Sequence, residues 1–230
     1  MKTITEKEYA AGKTADTLTL TGLSDRQVIQ RDPAHKNGHV SVVGTYDGGK
    51  IFSIKAKVVS DKDPTKKILD AADAAMDADK TSYRYTAVVP QGGWYRMIID
   101  AYDSQGRLVK ELSSGRWGIG MNILCMGQSN MVGIGTPKPY VQADDRVSNF
   151  MNECWSHLED PYAQGDTSIA GCGPYGGSMV PTVGNELVRA CSVPVGFIPA
   201  AKGGTSLLGD TNDWSARTVG DPFDLSLIHI

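Results

Sequence analysis

The sequence predicts an α/β chain in two parts, an N-terminal antiparallel β-sandwich followed by a layered α/β domain with a parallel sheet. Three observations carry this prediction. Up to about Gly118 the chain contains short stretches with a period of two, broken by glycine, proline and aspartate turns. After Trp117 the strand-like stretches become continuous apolar runs, "IGMNILCM" (119–126) and "VPVGFIPAA" (193–201), as in strands covered on both faces. Between those runs "PTVGNELVRAC" (181–191) has helical spacing, and buried strands alternating with helices build a parallel sheet.

The first part reads as follows. "HVSVVGTY" (39–46) is a valine-rich strand that ends at the turn signal "DGG". "IFSIKAKVVS" (51–60) places Phe52, Ile54, Ala56 and Val58 on one face and Ser53, Lys55 and Lys57 on the other, as a half-buried strand requires. Asp47-Gly48 between them predicts a tight hairpin. "SYRYTAVV" (82–89), "WYRMIIDAY" (94–102) and "RLVKEL" (107–112) are further strands, the first two separated by "PQGG". Short strands with regular turns point to a sandwich. The alanine-rich "KKILDAADAAMDADK" (66–80) reads either as a helix or as a loosely ordered insertion at a sandwich edge.

In the second part, Val183, Leu187 and Cys191 fall at i, i+4 and i+8 of the expected helix, and Pro181 suits its first turn. The segment 148–177 is rich in loop residues, with "FMNECWSHL" (150–158) a short hairpin. Three regions follow: a sandwich over 1–118, the α/β part over 119–224, and a tail over 225–230.

Composition narrows the function classes. Of 230 residues 40% are apolar and 21% charged, enough for a sizeable core. The net charge of −3 implies no strongly basic face, which argues against nucleic acid as the main partner. No apolar run reaches membrane-spanning length, so no membrane partner is expected. The N-terminal "MKTITEKEYAAGKTADTL" lacks the apolar core of a secretory signal. The compartment stays open, cytoplasm and phage particle included, as does the oligomeric state. The four cysteines, Cys125, Cys154, Cys172 and Cys191, form no Cys-x-x-Cys pair and fit no zinc spacing. They read as free thiols, with Cys125 in the core, and no metal or cofactor is expected.

The chemistry centres on "CMGQSNMVG" (125–133). A serine hydroxyl attacks an ester only when a base takes its proton and backbone N–H groups face the oxygen that becomes negative. Ser129, just after an apolar strand and close to Gly127, suits a sharp strand-to-helix turn that meets these needs. Free N–H groups and the dipole of a following helix would favour an anion there. It is not a G-x-S-x-G elbow, because Met131 stands two positions on. Taken alone, a serine at a helix start is more often an N-cap.

"GQSNM" (127–131) resembles the first motif block of the SGNH-hydrolase superfamily, and more narrowly the sialate O-acetylesterase and carbohydrate acetylesterase branch. "GPYGGSMVPTVGNELV" (173–188) is similar to the family's glycine-rich approach to a helix. "VPVGFIPAAKGGTSL" (193–207) is similar to its second block, and "QVIQRD" (27–32) to the sandwich that often precedes the catalytic domain. The resemblance implies a three-layer, flavodoxin-like SGNH domain with a parallel sheet. It implies that Ser129 is the nucleophile and that the N–H groups of Ser129 and Gly203 form part of the oxyanion hole, with Gly204 the fallback. Gln128, Asn130 and Thr205 would line the substrate cleft. The implied activity is removal of O-acetyl groups from carbohydrate by a serine esterase, with an acetylated carbohydrate as the partner.

The sequence departs from the family in its last part. The Gln-Gly-Glu-type segment and the Asp-x-x-His pair that supplies the base do not follow Gly204. The SGNH domain is therefore expected to be incomplete, its His and Asp to lie beyond residue 224, and the 230-residue chain to be nearly inactive. The final "LSLIHI" (225–230) matches the translation of a transposon-end sequencing adapter and is read as such, so His229 is not promoted to a base. One Asp-x-x-His occurs earlier, Asp32-Pro33-Ala34-His35, and reads as a turn between strands. His157 reads as a surface or packing residue, with a place in the substrate cleft the lesser reading. A second class stays open: a non-catalytic carbohydrate-binding or phage-particle surface protein with an SGNH-like domain.

Other patterns carry less. "GTYDGGKI" (44–51) fails as a P-loop at Ile51, where a hydroxyl is needed. "DAADAAMDADK" (70–80) lacks the glycine turn and terminal glutamate of a calcium loop. Trp94, Tyr95 and Trp117 read as core at strand spacing.

Overall fold

The computed structural model describes residues 17–133, 135, 141–160, 162 and 177–201. The chain divides into two compact units. One comprises Met1–Asp25 and Arg31–Ile119, the other Arg26–Gln30 and Gly120–Ile230. The described residues form a strand-rich α/β structure with few helices.

The first unit contains β2 (Asn37–Thr45), β3 (Ser53–Ser60), β4 (Lys67–Asp73), β5 (Ala75–Met76), β6 (Ser82–Pro90), β7 (Gly92–Tyr102) and β8 (Leu108–Ser113). They form two antiparallel arrangements, β2-β6-β5 and β4-β3-β7-β8. The expected alternation holds in β3, where Ile54, Ala56 and Val58 are buried, although Phe52 lies outside the strand and is exposed. The expected Asp47-Gly48 hairpin is corrected. β2 pairs with β6 over nine positions, from Asn37↔Pro90 to Thr45↔Ser82, and β3 pairs with β7. Asp47-Gly48 therefore carries the chain from one sheet to the other, with the amides of Lys50 and Ile51 bonded to the Asp47 carbonyl. Local turn chemistry identified a reversal but not its partner strand.

The alanine-rich segment 66–80 is neither helix nor loose insertion. It supplies β4, on the edge of β3, and β5, on the edge of β6. Unpaired edge N–H and C=O groups of β3 need partners, and pairing overrides alanine's helix propensity. Trp94, Tyr95 and Trp117 are buried core residues, with Tyr95 and Trp117 edge to face at 5.6 Å between centroids.

The second unit is built on β9 (Trp117–Gly127), which begins in the first unit. β1 (Gln27–Gln30) pairs with β9. β12 (Val195–Ala201) runs parallel to β9, in register from Val195↔Met121 to Ala201↔Gly127. β10 (Val147–Met151) runs parallel to β12 on its other side. β11 (Cys154–His157) returns antiparallel to β10, so the expected hairpin forms. Its two turn residues, Asn152 and Glu153, have φ of 51° and 59°, as a twisted two-residue turn requires. β12 thus stands between β9 and β10, whereas in a flavodoxin-type sheet the first strand holds that central place.

A four-residue helix, α1 (Ser129–Val132), follows β9, and α2 (Val180–Cys191) lies between β11 and β12. The helix is where the spacing placed it, and the expected Leu187 packs against the core, but the buried face is centred elsewhere. Val180, Gly184 and Val188 are buried, while Val183 is 38% exposed. The reason is close packing on the sheet: a Cβ at Gly184 would lie 2.8 Å from Val147 Cγ1 and 3.1 Å from Phe197 Cε2. The glycine sets the contact face, and the larger side chains flank it. Cys125, Val147, Val180, Val188, Val195, Phe197 and Ala201 form one core cluster there. β12 is buried at all but Ile198, as its continuous apolar sequence predicts, but Met126 near the end of β9 is 44% exposed.

Candidate active site

The candidate nucleophile sits where β9 leaves its sheet. Gly127 has φ +155°, a conformation L-residues rarely adopt, and a Cβ there would lie 2.9 Å from Met131 Cβ. Glycine therefore lets the chain fold back at once into α1. The amides of Met131 and Val132 both donate to the Gln128 carbonyl, at 2.9 and 3.0 Å. Gly133, left-handed at φ 91°, closes the turn by donating to the Asn130 carbonyl at 3.3 Å.

Ser129 is the first helical residue of this turn and not its cap. The N-cap is Gln128, which makes no side-chain capping bond. Ser129 therefore does not occupy the N-cap position of α1. The residue is half-buried, and its neighbours Gln128 and Asn130 are exposed. One expectation is corrected: α1 has only four residues, too few for aligned peptide dipoles to sum to an appreciable field.

The second candidate loop follows β12. Its last described residue, Ala201, pairs with Gly127, and the two strands are parallel. The described ends of β9 and β12 are therefore level at the carboxyl edge of the sheet, the usual place for a ligand site in such sheets. Gly203, Gly204 and Thr205 lie outside the described residues.

The turn rests on groups that sequence reasoning did not single out. Tyr162, buried, donates its hydroxyl proton to the Met131 carbonyl. Its own carbonyl accepts a bond from Asn149 Nδ2 at 2.6 Å. Cys125 lies in hydrogen-bonding contact with the same hydroxyl; burial, outweighing that contact, pushes its thiol up to about 11. Burial likewise raises the Tyr162 phenol, with Cys125 adding to the effect. Both groups are neutral near pH 7, so neither is an activated nucleophile. Cys154 is exposed and Cys191 half-buried; both are free. Among the described residues no cluster of three metal-ligating side chains occurs. No described helix is long and apolar enough to cross a membrane.

The described histidines do other things. His157 lies in β11, opposite Ser148, with Nε2 3.3 Å from the Asp144 carbonyl and Nδ1 3.6 Å from Glu159. Ser148 is level with Gly196 and, across β12, with Asn122. Five residue steps along β9 separate Asn122 from Gly127, roughly 17 Å along a strand. His157 therefore lies toward the other edge of the sheet, which rules out the cleft reading. Asp32 and His35 do meet, at 2.5 Å, but in an exposed turn in which Asp32 Oδ1 also accepts the Ala34 amide. An open groove of about 480 Å³ between Asp144, Arg146, Asn185 and Glu186 lies near the start of β10. It is not at the Ser129 edge.

Comparison with known proteins adds the following. The chain is similar to a carbohydrate acetylesterase from Xanthomonas citri, with 19% identity and a TM-score of 0.44 over 81% of this chain and 40% of that one. It is similar to a protein from Arabidopsis thaliana, with 14% identity and a TM-score of 0.36 over 47% of this chain and 49% of that one. The chain thus spans less than half the length of either protein. No curated protein matches it. Residues 121–224 match the family model described as carbohydrate esterase, sialic acid-specific acetylesterase, the branch that the "GQSNM" and "GGTS" stretches resemble.

Proposed function

We propose that this chain carries the nucleophile of a serine esterase that removes O-acetyl groups from carbohydrate, of the sialate O-acetylesterase type. The observation that supports this most is the turn at 127–133, which places Ser129 as the first residue of a one-turn helix, beside the carboxyl end of β12. The match over residues 121–224 supports the reaction class, ester hydrolysis on carbohydrate.

In this reading Ser129 Oγ attacks the acetyl carbonyl carbon and its proton passes to a histidine base. That role is assigned to none of His35, His39 and His157. The carbonyl oxygen becomes negative and is held by the amides of Ser129 and Gly203, or of Gly204 if the register is offset by one. A glycine donor suits this place because no side chain stands between its N–H and the substrate. The tetrahedral intermediate collapses, the sugar oxygen leaves with the proton, and water then releases acetate from the acyl-serine. Gln128, Asn130 and Thr205 line the cleft and contact the sugar. The second unit belongs to a three-layer SGNH domain, and the two sheets of the first unit pack as an accessory sandwich.

The test is hydrolysis of p-nitrophenyl acetate by the wild type and by Ser129→Ala, together with mass spectrometry of the peptide spanning 127–133. With no histidine assigned as base, turnover by the wild type is expected to be low, and Ser129→Ala to abolish whatever part of it depends on Ser129. The acetyl adduct trapped on that peptide is expected to disappear. Equal rates and an unchanged adduct would overturn the assignment. Release of acetate from O-acetylated sialic acid tests the sugar.

A further inference from the structure

We propose that Tyr162 is a positioning residue for Ser129: its buried hydroxyl holds the one-turn helix α1 from beneath, and Asp160 ties the same short stretch to the start of α2. This deepens the esterase reading and rests on it.

The contacts converge from separate elements. The Tyr162 hydroxyl donates to the carbonyl of Met131, the residue two beyond the nucleophile. Its ring packs on Gly133, where an added Cβ would lie 3.5 Å from Cδ1. Its backbone carbonyl is anchored to β10 through Asn149 Nδ2. Two residues earlier, Asp160 accepts from the Ser178 amide at 2.9 Å and from the Ser178 hydroxyl at 2.7 Å. Ser178 Oγ in turn accepts the Val180 amide at 3.1 Å, which satisfies one of the free amides at the start of α2. Gly177 N–H donates to the Gly135 carbonyl at 2.8 Å, so the chain leaving α1 and the chain approaching α2 are joined directly.

A four-residue helix has almost no stability of its own, because nucleation fixes several residues for one or two bonds. Its carbonyls toward the end have no intrahelical partners. Tyr162, itself buried, supplies one such partner at the half-buried Met131. Without that bond the Met131 carbonyl would lose its partner from the core side, and the turn would be freer to move. A nucleophile misplaced by about 1 Å loses about a hundredfold in rate. The Tyr162 hydroxyl therefore acts on the reaction through α1, without touching substrate.

Two measurements test this, with Tyr162→Phe and Asp160→Asn as variants and Val188→Ala as a control for general loss of stability. Hydrogen exchange reads the turn directly. Tyr162→Phe is expected to speed exchange of the 128–133 amides about tenfold and leave those of β12 unchanged. Asp160→Asn is expected to speed exchange at both 128–133 and 177–182. Val188→Ala is expected to leave 128–133 as in the wild type, relative to its neighbours. The second measurement is the rate at which p-nitrophenyl acetate acetylates Ser129, expected to fall ~10- to 100-fold in Tyr162→Phe with apparent substrate affinity unchanged. Unchanged exchange at 128–133 in both Tyr162→Phe and Asp160→Asn overturns the proposal. So does faster exchange with an unchanged acetylation rate, which would make Tyr162 structural only. If Ser129→Ala retains full activity while exchange responds as expected, the esterase reading fails and the support of α1 by Tyr162 stands.

Discussion

At Gly127 a φ of +155° coincides with a Cβ position 2.9 Å from Met131. Any side chain there is opposed twice, by the backbone and by its neighbour. Gly127→Ala is expected to cost about 1–3 kcal/mol, measured by urea unfolding, and to disturb the Ser129 turn before the rest of the sheet. A second residue-scale expectation concerns Asp32 and His35. The bond between them lowers the Asp32 carboxyl from its usual 3.8 and raises the His35 imidazole above its usual 6.5. The His35 contribution is complete below pH 6.5 and is lost as pH rises through its raised value. The Asp32 contribution is present above pH 3.8 and is lost as pH falls through its depressed value. The ion pair is therefore whole only between these limits. An NMR titration should give His35 a midpoint above 6.5 that falls back toward 6.5 in Asp32→Asn. An unchanged midpoint would mean that the pair does not form in solution. Ser129 was legible at this scale because its neighbours in sequence make the turn. Tyr162 was not, because it acts on a backbone carbonyl 31 positions away and no pattern of residue types encodes such a bond.

At the scale of elements, periodicity located strands and the second helix well, and partners poorly. β2 and β3 were legible as strands from their valines and alternation, yet the loop between them was misread as a hairpin. A turn signal records that the chain reverses, and only the sheet decides which strand receives it. The segment 66–80 shows the converse: alanine favours helix locally, and the open edges of β3 and β6 recruited it as strand. In α2 the spacing gave the helix and one edge of its buried face, at Leu187, but missed its centre, because a stripe of larger apolar residues masked the glycine that makes contact. That glycine yields a prediction whose sign is set by packing. Gly184→Ala gains about 1 kcal/mol of helix propensity, but its methyl would lie 2.8 Å from Val147 Cγ1. Val147 is fully buried and stiff at χ1, so it cannot yield cheaply. Overpacking of this kind costs about 1–3 kcal/mol. Gly184→Ala should therefore lower the melting temperature, and a rise would show that the helix can lift off the sheet without loss.

Across the whole chain, the proposed chemistry needs two segments, distant in sequence, to emerge side by side. The residues legible in the sequence were the ends of two apolar strands, and the parallel register Ala201↔Gly127 is what joins them. That register can be checked without reference to activity. Met126 and Ala200 are direct neighbours across β9 and β12, one position before those strand ends. Neighbouring strands lie about 4.8 Å apart, within the Cα separation that a disulfide accepts, about 4.4–6.8 Å. With the exposed Cys154 replaced by serine, Met126→Cys combined with Ala200→Cys should cross-link on mild oxidation, seen as a joined peptide in a non-reduced digest. Met126→Cys combined with Val195→Cys should not, because Val195 pairs with Met121 at the far end of the same ladder. If only the second pair linked, β12 would run in another register or direction. The Gly203 amide would then leave the sheet away from Ser129, and an oxyanion held by both would be impossible. If only the first pair links, the ends of β9 and β12 share one edge, as the proposed pairing of Ser129 with the Gly203 amide requires.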